Sequence, residues 1–66
     1  MLITVNGEPT LVADDATVEV LLDGLGVRRD GTAVALNDEV VPRTRHATTA
    51  LQLGDRVEVI VAVAGG

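Results

Sequence analysis

The feature that most restricts the fold is the C-terminal run, in which valines alternate with other residues before two glycines. One face of an extended strand would carry Val57, Val59, Val61 and Val63, and the other Arg56, Glu58, Ile60 and Ala62. Apolar residues on both faces near the end of this run predict a central strand that a helix covers on one side. The run continues into Gly65-Gly66, which is either a frayed end or a working tip.

Size and composition limit the chemistry that the chain can perform. The 66 residues predict one domain, 1–66, near the lower size limit for folding without metals or disulfides, with 63–66 as an extended tail. The absence of cysteine excludes disulfides, thiolate metal sites and a nucleophilic thiol. A single histidine excludes a multi-histidine zinc site. Because aromatic residues are also absent, the core must be aliphatic.

The charge balance limits the class of partner. Ten acidic residues against five arginines give a formal net charge of −5. We therefore expect no nucleic-acid partner and no membrane partner, since both are polyanionic. An acidic surface suits a basic protein partner, and it serves ordinary solubility equally well. The sequence shows no signal peptide and no apolar run long enough to cross a bilayer, so we expect a cytoplasmic location.

The first half of the chain predicts a hairpin followed by a short helix. The β-branched run Leu2–Val5 stops at Asn6-Gly7, a pair that favours a tight hairpin turn, and 10–12 returns as the second strand with Pro9 near its start. A helical period follows, with Thr17 as its N-cap and Gly24 and Gly26 at its end. The apolar residues of that period share one face: Val18, Leu21, Leu22 and Leu25.

The second half predicts three more strand segments. The first is a largely buried strand at 33–36. The second, 40–41, pairs back onto it after a turn at 37–39, and the third is the final valine run, which follows a turn at Gly54-Asp55. Residues 43–50 are predicted to form a loop or a single helical turn, held to the core by Leu51 and Leu53. The order of these elements predicts an α+β fold of the ubiquitin-like β-grasp type, with about five short strands packed on one helix.

The body of the chain offers little for catalysis. Serine and cysteine are absent, so no nucleophile can pair with a base. The single histidine, His46, lies in a polar segment and is predicted to be a surface residue. The acidic residues around the helix are interpreted as caps and as a solvated face: Asp14, Asp15, Glu19 and Asp23. We therefore predict neither a catalytic residue nor a metal site.

The tip offers a carboxylate. An α-carboxylate is ionised at neutral pH and can attack the α-phosphorus of ATP, which gives an acyl-adenylate that a sulfur nucleophile can displace. Glycine suits both steps because no Cβ obstructs entry into a narrow site. The four residues Val63–Gly66 reach about 13–14 Å when extended at roughly 3.3–3.6 Å per residue. That length could place the carboxylate in a partner's active site.

Several segments resemble the thiamine-biosynthesis sulfur-carrier family (ThiS), small ubiquitin-like β-grasp proteins that end in Gly-Gly. The resemblance covers essentially the whole chain, from Asn6-Gly7 through the helix opening 17–22 to the tail. It is sharpest over three segments: 35–37 with Val41-Pro42-Arg43, 53–59, and Val63-Ala64-Gly65-Gly66. One departure is His46, since the family often carries a tryptophan after the Val-Pro-Arg segment.

The resemblance implies a protein co-substrate, not an enzyme. It implies that a ThiF-type activating enzyme uses ATP to adenylate Gly66 and that a cysteine desulfurase persulfide supplies sulfur. The resulting thiocarboxylate would then deliver sulfur to thiazole synthase. Gly66 is the modified position, while Val63, Ala64 and Gly65 thread into partner sites. No cofactor is expected to stay bound to the carrier. By geometry, docking is expected on the exposed sheet face near the last strand, with Arg43 and Arg56 as candidates.

Three alternatives remain open. The small subunit of molybdopterin synthase would use the same tip chemistry for another cofactor, although the short length and the Val41-Pro42-Arg43 segment stand against it. A ubiquitin-like modifier would be joined to target lysines; this chain has no lysine and could not form side-chain-linked polymers of itself. A plain β-grasp interaction domain would carry the two glycines incidentally.

Overall fold

One helix packs on a mixed five-stranded sheet, as the sequence predicts. The structure is a computed structural model that describes residues 1–28 and 30–61. In chain order its elements are β1 (Leu2–Val5), β2 (Glu8–Leu11), α1 (Val18–Leu25), β3 (Thr32–Leu36), β4 (Glu39–Val40), a 3₁₀ turn (Arg43–Arg45) and β5 (Arg56–Val61). The spatial order of the strands is β2-β1-β5-β3-β4. Only β1 and β5 run parallel, and the fold is a β-grasp.

The central position predicted for the last strand is confirmed. β5 pairs in parallel with β1, where Val5 lies opposite Val57, and antiparallel with β3 from Leu36 to Thr32. Its alternation is also confirmed, because Val57 and Val59 are buried beneath the helix whereas Ile60 is 61% exposed on the opposite face. The predicted continuation of this strand into Ala62 and Val63 lies outside the described residues.

The first hairpin turns at Asn6-Gly7, with φ angles of 51° and 82° that suit this pair of residues. β2 begins at Glu8, two residues earlier than the sequence predicted, and so includes Pro9. Met1 and Val12 exchange main-chain hydrogen bonds at 2.6 and 2.9 Å. In an antiparallel ladder, hydrogen-bonded residue pairs alternate with non-bonded pairs, so this bonded pair fixes which of the following pairs are bonded. Pro9, opposite Thr4, falls on a non-bonded pair, so its missing N–H costs the ladder nothing.

The helix begins where the sequence predicts. The Thr17 hydroxyl accepts a hydrogen bond from the Val20 N–H at 3.3 Å, and Gly26 ends the helix with a left-handed φ of 71°. Gly24 lies inside the last turn and does not end the helix. Three of the four predicted face residues are buried, but Leu25 is 43% exposed because the last turn borders an open groove beside Val27.

The segment after β4 is a loop with a single 3₁₀ turn, as predicted, and it packs against the start of the helix. Main-chain bonds join Val18 N–H to Thr49 O at 3.0 Å and Leu51 N–H to Ala16 O at 2.9 Å. Leu51 is buried, as predicted, but the prediction for Leu53 is wrong, since its side chain is 75% exposed. The chain turns between 52 and 55, so the two leucines do not share a face.

The core is aliphatic throughout. Its fully buried side chains come from three neighbouring strands and the helix: Ile3, Val18, Leu22, Val34 and Val57. Within residues 1–28 and 30–61, no helix has the length and apolar character needed to cross a bilayer. The sheet and the helix therefore form a body whose middle strand leads to the C-terminal segment.

Candidate functional site

The predicted site residues Val63, Ala64, Gly65 and Gly66 lie outside the described residues. The structure does establish where the chain leads into them. The described part of β5 reaches Val61, which pairs with Thr32 at the start of β3 and is half exposed. An open, mainly apolar groove borders this strand end on the helix side of the sheet; its lining is Val5, Asn6, Glu8, Thr10, Leu25, Val27, Val59 and Val61.

The Asn6 side chain holds β5 near this end. Its Oδ1 accepts a hydrogen bond from Val59 N–H at 2.8 Å, and its Nδ2 donates to Val59 O at 3.2 Å. Sequence reasoning treated Asn6 only as a turn residue and missed this bond pair. The available signal was the asparagine itself, because a left-handed residue at a strand end can direct its amide towards the next strand.

Asn37 does the same at the other end of β5. Its φ is 50°, its Oδ1 accepts from Arg56 N–H at 2.9 Å, and its Nδ2 donates to the Asp55 carboxylate at 3.0 Å. Two asparagines from two hairpin turns therefore hold the same central strand, Asn37 at its start and Asn6 near its end. The sequence analysis assigned neither role.

The sheet face away from the helix carries an exposed apolar surface beside the strand end. Side-chain alternation places Ile60 next to Ala33 on β3, and Val40 next to Ala35, on this face. Ile60 and Val40 are 61% and 76% exposed. We call these four residues the outer patch. Glu58 of β5 lies among them, opposite Ala35, and contributes a negative charge.

The two arginines predicted as docking candidates are exposed, and each has an acidic neighbour. Arg56 contacts Asp38 at 3.1 Å, and Arg43 contacts Asp30 at 2.5 Å. Surface pairs of this kind contribute only about 0–1 kcal/mol each, so a partner's carboxylate could replace the present one at small cost. Arg56 lies on the same sheet face as the outer patch, and Arg43 lies in the 3₁₀ turn that follows β4.

The prediction for His46 is wrong. Its side chain is buried, with 3% relative exposure, and its Nε2 lies 3.0 Å from the Val41 carbonyl oxygen, so Nε2–H is the donor. Nδ1 has no partner among the described residues. The ring points inward because two main-chain hydrogen bonds hold the backbone at His46. Its N–H donates to Arg43 O, and its carbonyl oxygen accepts from Glu19 N–H. The polar neighbours of His46 in the sequence misled the prediction.

The acidic residues around the helix form no metal site within the described part of the chain, where no cluster of three or more potential ligands occurs. Asp14 instead contacts the Met1 ammonium at 3.2 Å in an exposed pair. The candidate functional features of the described residues therefore lie around the last described residues of β5. They are the Asn6 bond pair, the groove and the outer patch.

Comparison with known proteins gives a consistent result. The model of the ThiS family matches residues 3–66. The sulfur carrier protein ThiS of Escherichia coli is 36% identical over 66 residues, which is the full length of both chains. A crystal structure of the thiamine biosynthesis protein (ThiS) from Geobacter metallireducens superimposes with a TM-score of 0.85 at 38% identity and covers all of both chains.

Two longer proteins also contain a similar region. Thiazole synthases of Paramagnetospirillum magneticum and Magnetococcus marinus are 38% and 39% identical to this chain over 66 residues. The chain spans only about 20% of the length of each of these two relatives. Similarity to the whole chain therefore occurs both in a carrier of the same length and in part of a larger synthase.

The burial of His46 leads to a first prediction. Replacing it in His46→Ala should lower the free energy of unfolding by about 2–4 kcal/mol, because the change opens a cavity and leaves the Val41 carbonyl without its donor. Urea denaturation followed by circular dichroism measures the loss. The matched control is Arg45→Ala at the exposed neighbouring side chain, which should stay within about 0.5 kcal/mol of the parent. Equal stability of the two variants would contradict a packing role for the ring.

Proposed function

The chain belongs to the ThiS family, and we propose that it is a sulfur carrier for formation of the thiazole ring in thiamine biosynthesis. The observation that carries this proposal is the full-length likeness to the Escherichia coli sulfur carrier, in a fold whose central strand leads towards Gly65-Gly66. The chain then acts as a protein co-substrate on which partner enzymes operate. A cytoplasmic location, where thiols are kept reduced, suits this chemistry.

The proposed chemistry takes place at the Gly66 carboxylate, which must be free. In a ThiF-type activating enzyme, a carboxylate oxygen attacks the α-phosphorus of ATP and pyrophosphate leaves. The terminal sulfur of a persulfide then attacks the acyl carbon, and AMP leaves with the former carboxylate oxygen. A thiol reduces the resulting acyl disulfide and releases the thiocarboxylate. ATP belongs to the activating enzyme in this scheme, and the carrier keeps no cofactor.

Both sulfur and reducing thiol must come from other proteins or small molecules, because this chain has no cysteine. A cysteine desulfurase is the proposed source of the persulfide. The proposed acceptor is thiazole synthase, and the two thiazole synthases that contain a similar region support this pairing. Val63, Ala64 and Gly65 are proposed to enter the partner sites behind the leading Gly66 carboxylate, where small side chains and a missing Cβ ease passage.

The outer patch is the proposed docking surface for the activating enzyme. One of its residues, Ile60, lies on the strand that leads to the tail, so a partner seated on Ile60 would also receive Gly66. Ile60 and Val40 are exposed aliphatic side chains that gain free energy when covered, at about 25 cal/mol per Å². The net charge of −5 favours a partner whose rim is basic.

A shortened tail tests the chemical proposal. Deleting Gly66 moves the carboxylate back by roughly 3.3–3.6 Å, and a displacement of even about 1 Å can lower a rate by about 100-fold. We therefore expect at least that loss in ATP-dependent pyrophosphate release with the purified activating enzyme. The control is Val20→Ala, a change at an exposed position on the helix that leaves the tail intact and should keep the parent rate. Activation of the shortened chain at the parent rate would contradict the assignment of Gly66.

A charge placed in the outer patch tests the docking proposal. Ile60→Lys should raise the KM for activation by about ten-fold, or 1.4 kcal/mol, with little change in kcat, because a charge must be buried in an apolar contact. The control is Val20→Lys, which makes the same change at a 55% exposed position on the helix, away from the outer patch. If Val20→Lys raises KM as much as Ile60→Lys, the surface is assigned wrongly.

A further inference from the structure

We propose that Asn6 is a positioning residue for the tail, because its side chain continues the β1–β5 ladder past the point where β1 ends. The structural part of this inference stands on the described contacts alone. Its consequence for activation rests on the proposed function. Asn6 contacts no reacting atom in this scheme and acts through the strand that it holds.

The main-chain ladder between β1 and β5 stops at Asn6. Thr4 N–H donates to Asp55 O at 3.0 Å, and Asn6 N–H donates to Val57 O at 2.8 Å. In a regular parallel ladder, the Asn6 carbonyl would next accept from Val59 N–H, and a later N–H would donate to Val59 O. The main chain cannot supply these bonds, because it turns away from β5 into the hairpin at Asn6, where φ is 51°.

The Asn6 amide supplies both missing bonds. Oδ1 takes the place of the main-chain carbonyl at Val59 N–H, and Nδ2 takes the place of the main-chain donor at Val59 O, at 2.8 and 3.2 Å. A side-chain amide is one of the few groups that carries a donor and an acceptor with the geometry of a peptide. Asparagine also tolerates a left-handed backbone better than most residues, so one residue type meets both demands.

These two bonds matter because of where they lie on β5. On the β3 side, β5 is paired through Val61, opposite Thr32. On the β1 side, beyond Val57, the described contacts consist of the Asn6 bonds and the walls of an open groove. Val61 is half exposed. Without the Asn6 amide, the last residues of β5 would be paired along one edge only, and strand ends held in this way open more often.

A tail that starts from a frayed strand reaches a partner site less efficiently. Each residue that must be ordered on binding adds an entropy cost, so the population of tails aimed correctly falls when residues 59–61 open. The loss should appear in kcat because the tail is aimed less well, and KM should rise as well because Ile60 of the outer patch lies in the segment that opens. An effect of about three- to ten-fold on kcat is expected, at the lower end of what the loss of two net hydrogen bonds would give.

Asn37 provides a matched control within the same chain. Its φ of 50° nearly equals that of Asn6, and its amide also forms two hydrogen bonds, to Arg56 at the start of β5 and to Asp55 just before it. Its partners are Arg56 N–H and the Asp55 carboxylate, at the start of the strand and away from the tail. The variants Asn6→Gly and Asn37→Gly each remove one amide, while glycine accepts the positive φ, so the backbone remains unstrained.

Two measurements on both variants test the inference. Amide hydrogen exchange should become faster at 59–61 in Asn6→Gly and at 55–57 in Asn37→Gly. Steady-state activation should show kcat reduced about three- to ten-fold, with some increase in KM, in Asn6→Gly, and both constants within about two-fold of the parent in Asn37→Gly. Asn6→Asp keeps the acceptor for Val59 N–H but sets a carboxylate oxygen against the Val59 carbonyl oxygen, so its kcat should stay below that of the parent.

The outcomes separate the inference from the proposed function. Unchanged exchange at 59–61 in Asn6→Gly overturns the structural role of the amide. Faster exchange there, with kcat equal to that of the parent or to that of Asn37→Gly, overturns the positioning role. If the parent chain itself is not activated by ATP and the partner enzyme, the proposed function fails, and the exchange data still decide whether Asn6 holds β5.

Discussion

The parallel pairing of β1 with β5 is the constraint on which the rest of the structure depends. It joins the first strand to the last and places β5 in the middle of the sheet, where β3 pairs with its other edge. The fully buried side chains Ile3, Val34 and Val57 come from these three neighbouring strands, and the helix covers them. The last strand, from which the chain continues towards the C-terminus, therefore lies in the middle of the sheet with a paired strand on each side.

The sequence predicted most of this fold because its local signals agree with the tertiary arrangement. Alternating valines gave the central strand and its buried face, Thr17 gave the start of the helix, and Asn6-Gly7 gave the hairpin. Each of these signals arises from backbone sterics or from side-chain period, which neighbours in the sequence determine. Strand boundaries shifted by one or two residues, as at Glu8, because pairing partners decide where a ladder begins.

The features that the sequence did not predict depend on distant contacts. His46 is buried because the helix start and the 3₁₀ turn hold its main chain, and its polar neighbours gave no sign of this. Leu53 is exposed because the chain turns before β5. The side-chain role of Asn6 depends on Val59, 53 residues away in the sequence. The tip residues Val63–Gly66 were predicted from the residues and the resemblance, and the described residues give only the place from which they continue.

Sulfur transfer through this chain is the central claim, and intact-mass analysis of the protein from sulfur-replete cells tests it most directly. The account predicts a fraction of molecules in which one oxygen is replaced by one sulfur, with the change confined to the peptide that contains Gly66. Alkylation by a thiol reagent should label that peptide, although the chain has no cysteine. Protein that stays unmodified in cells that are making thiamine and have no other sulfur carrier would contradict the account.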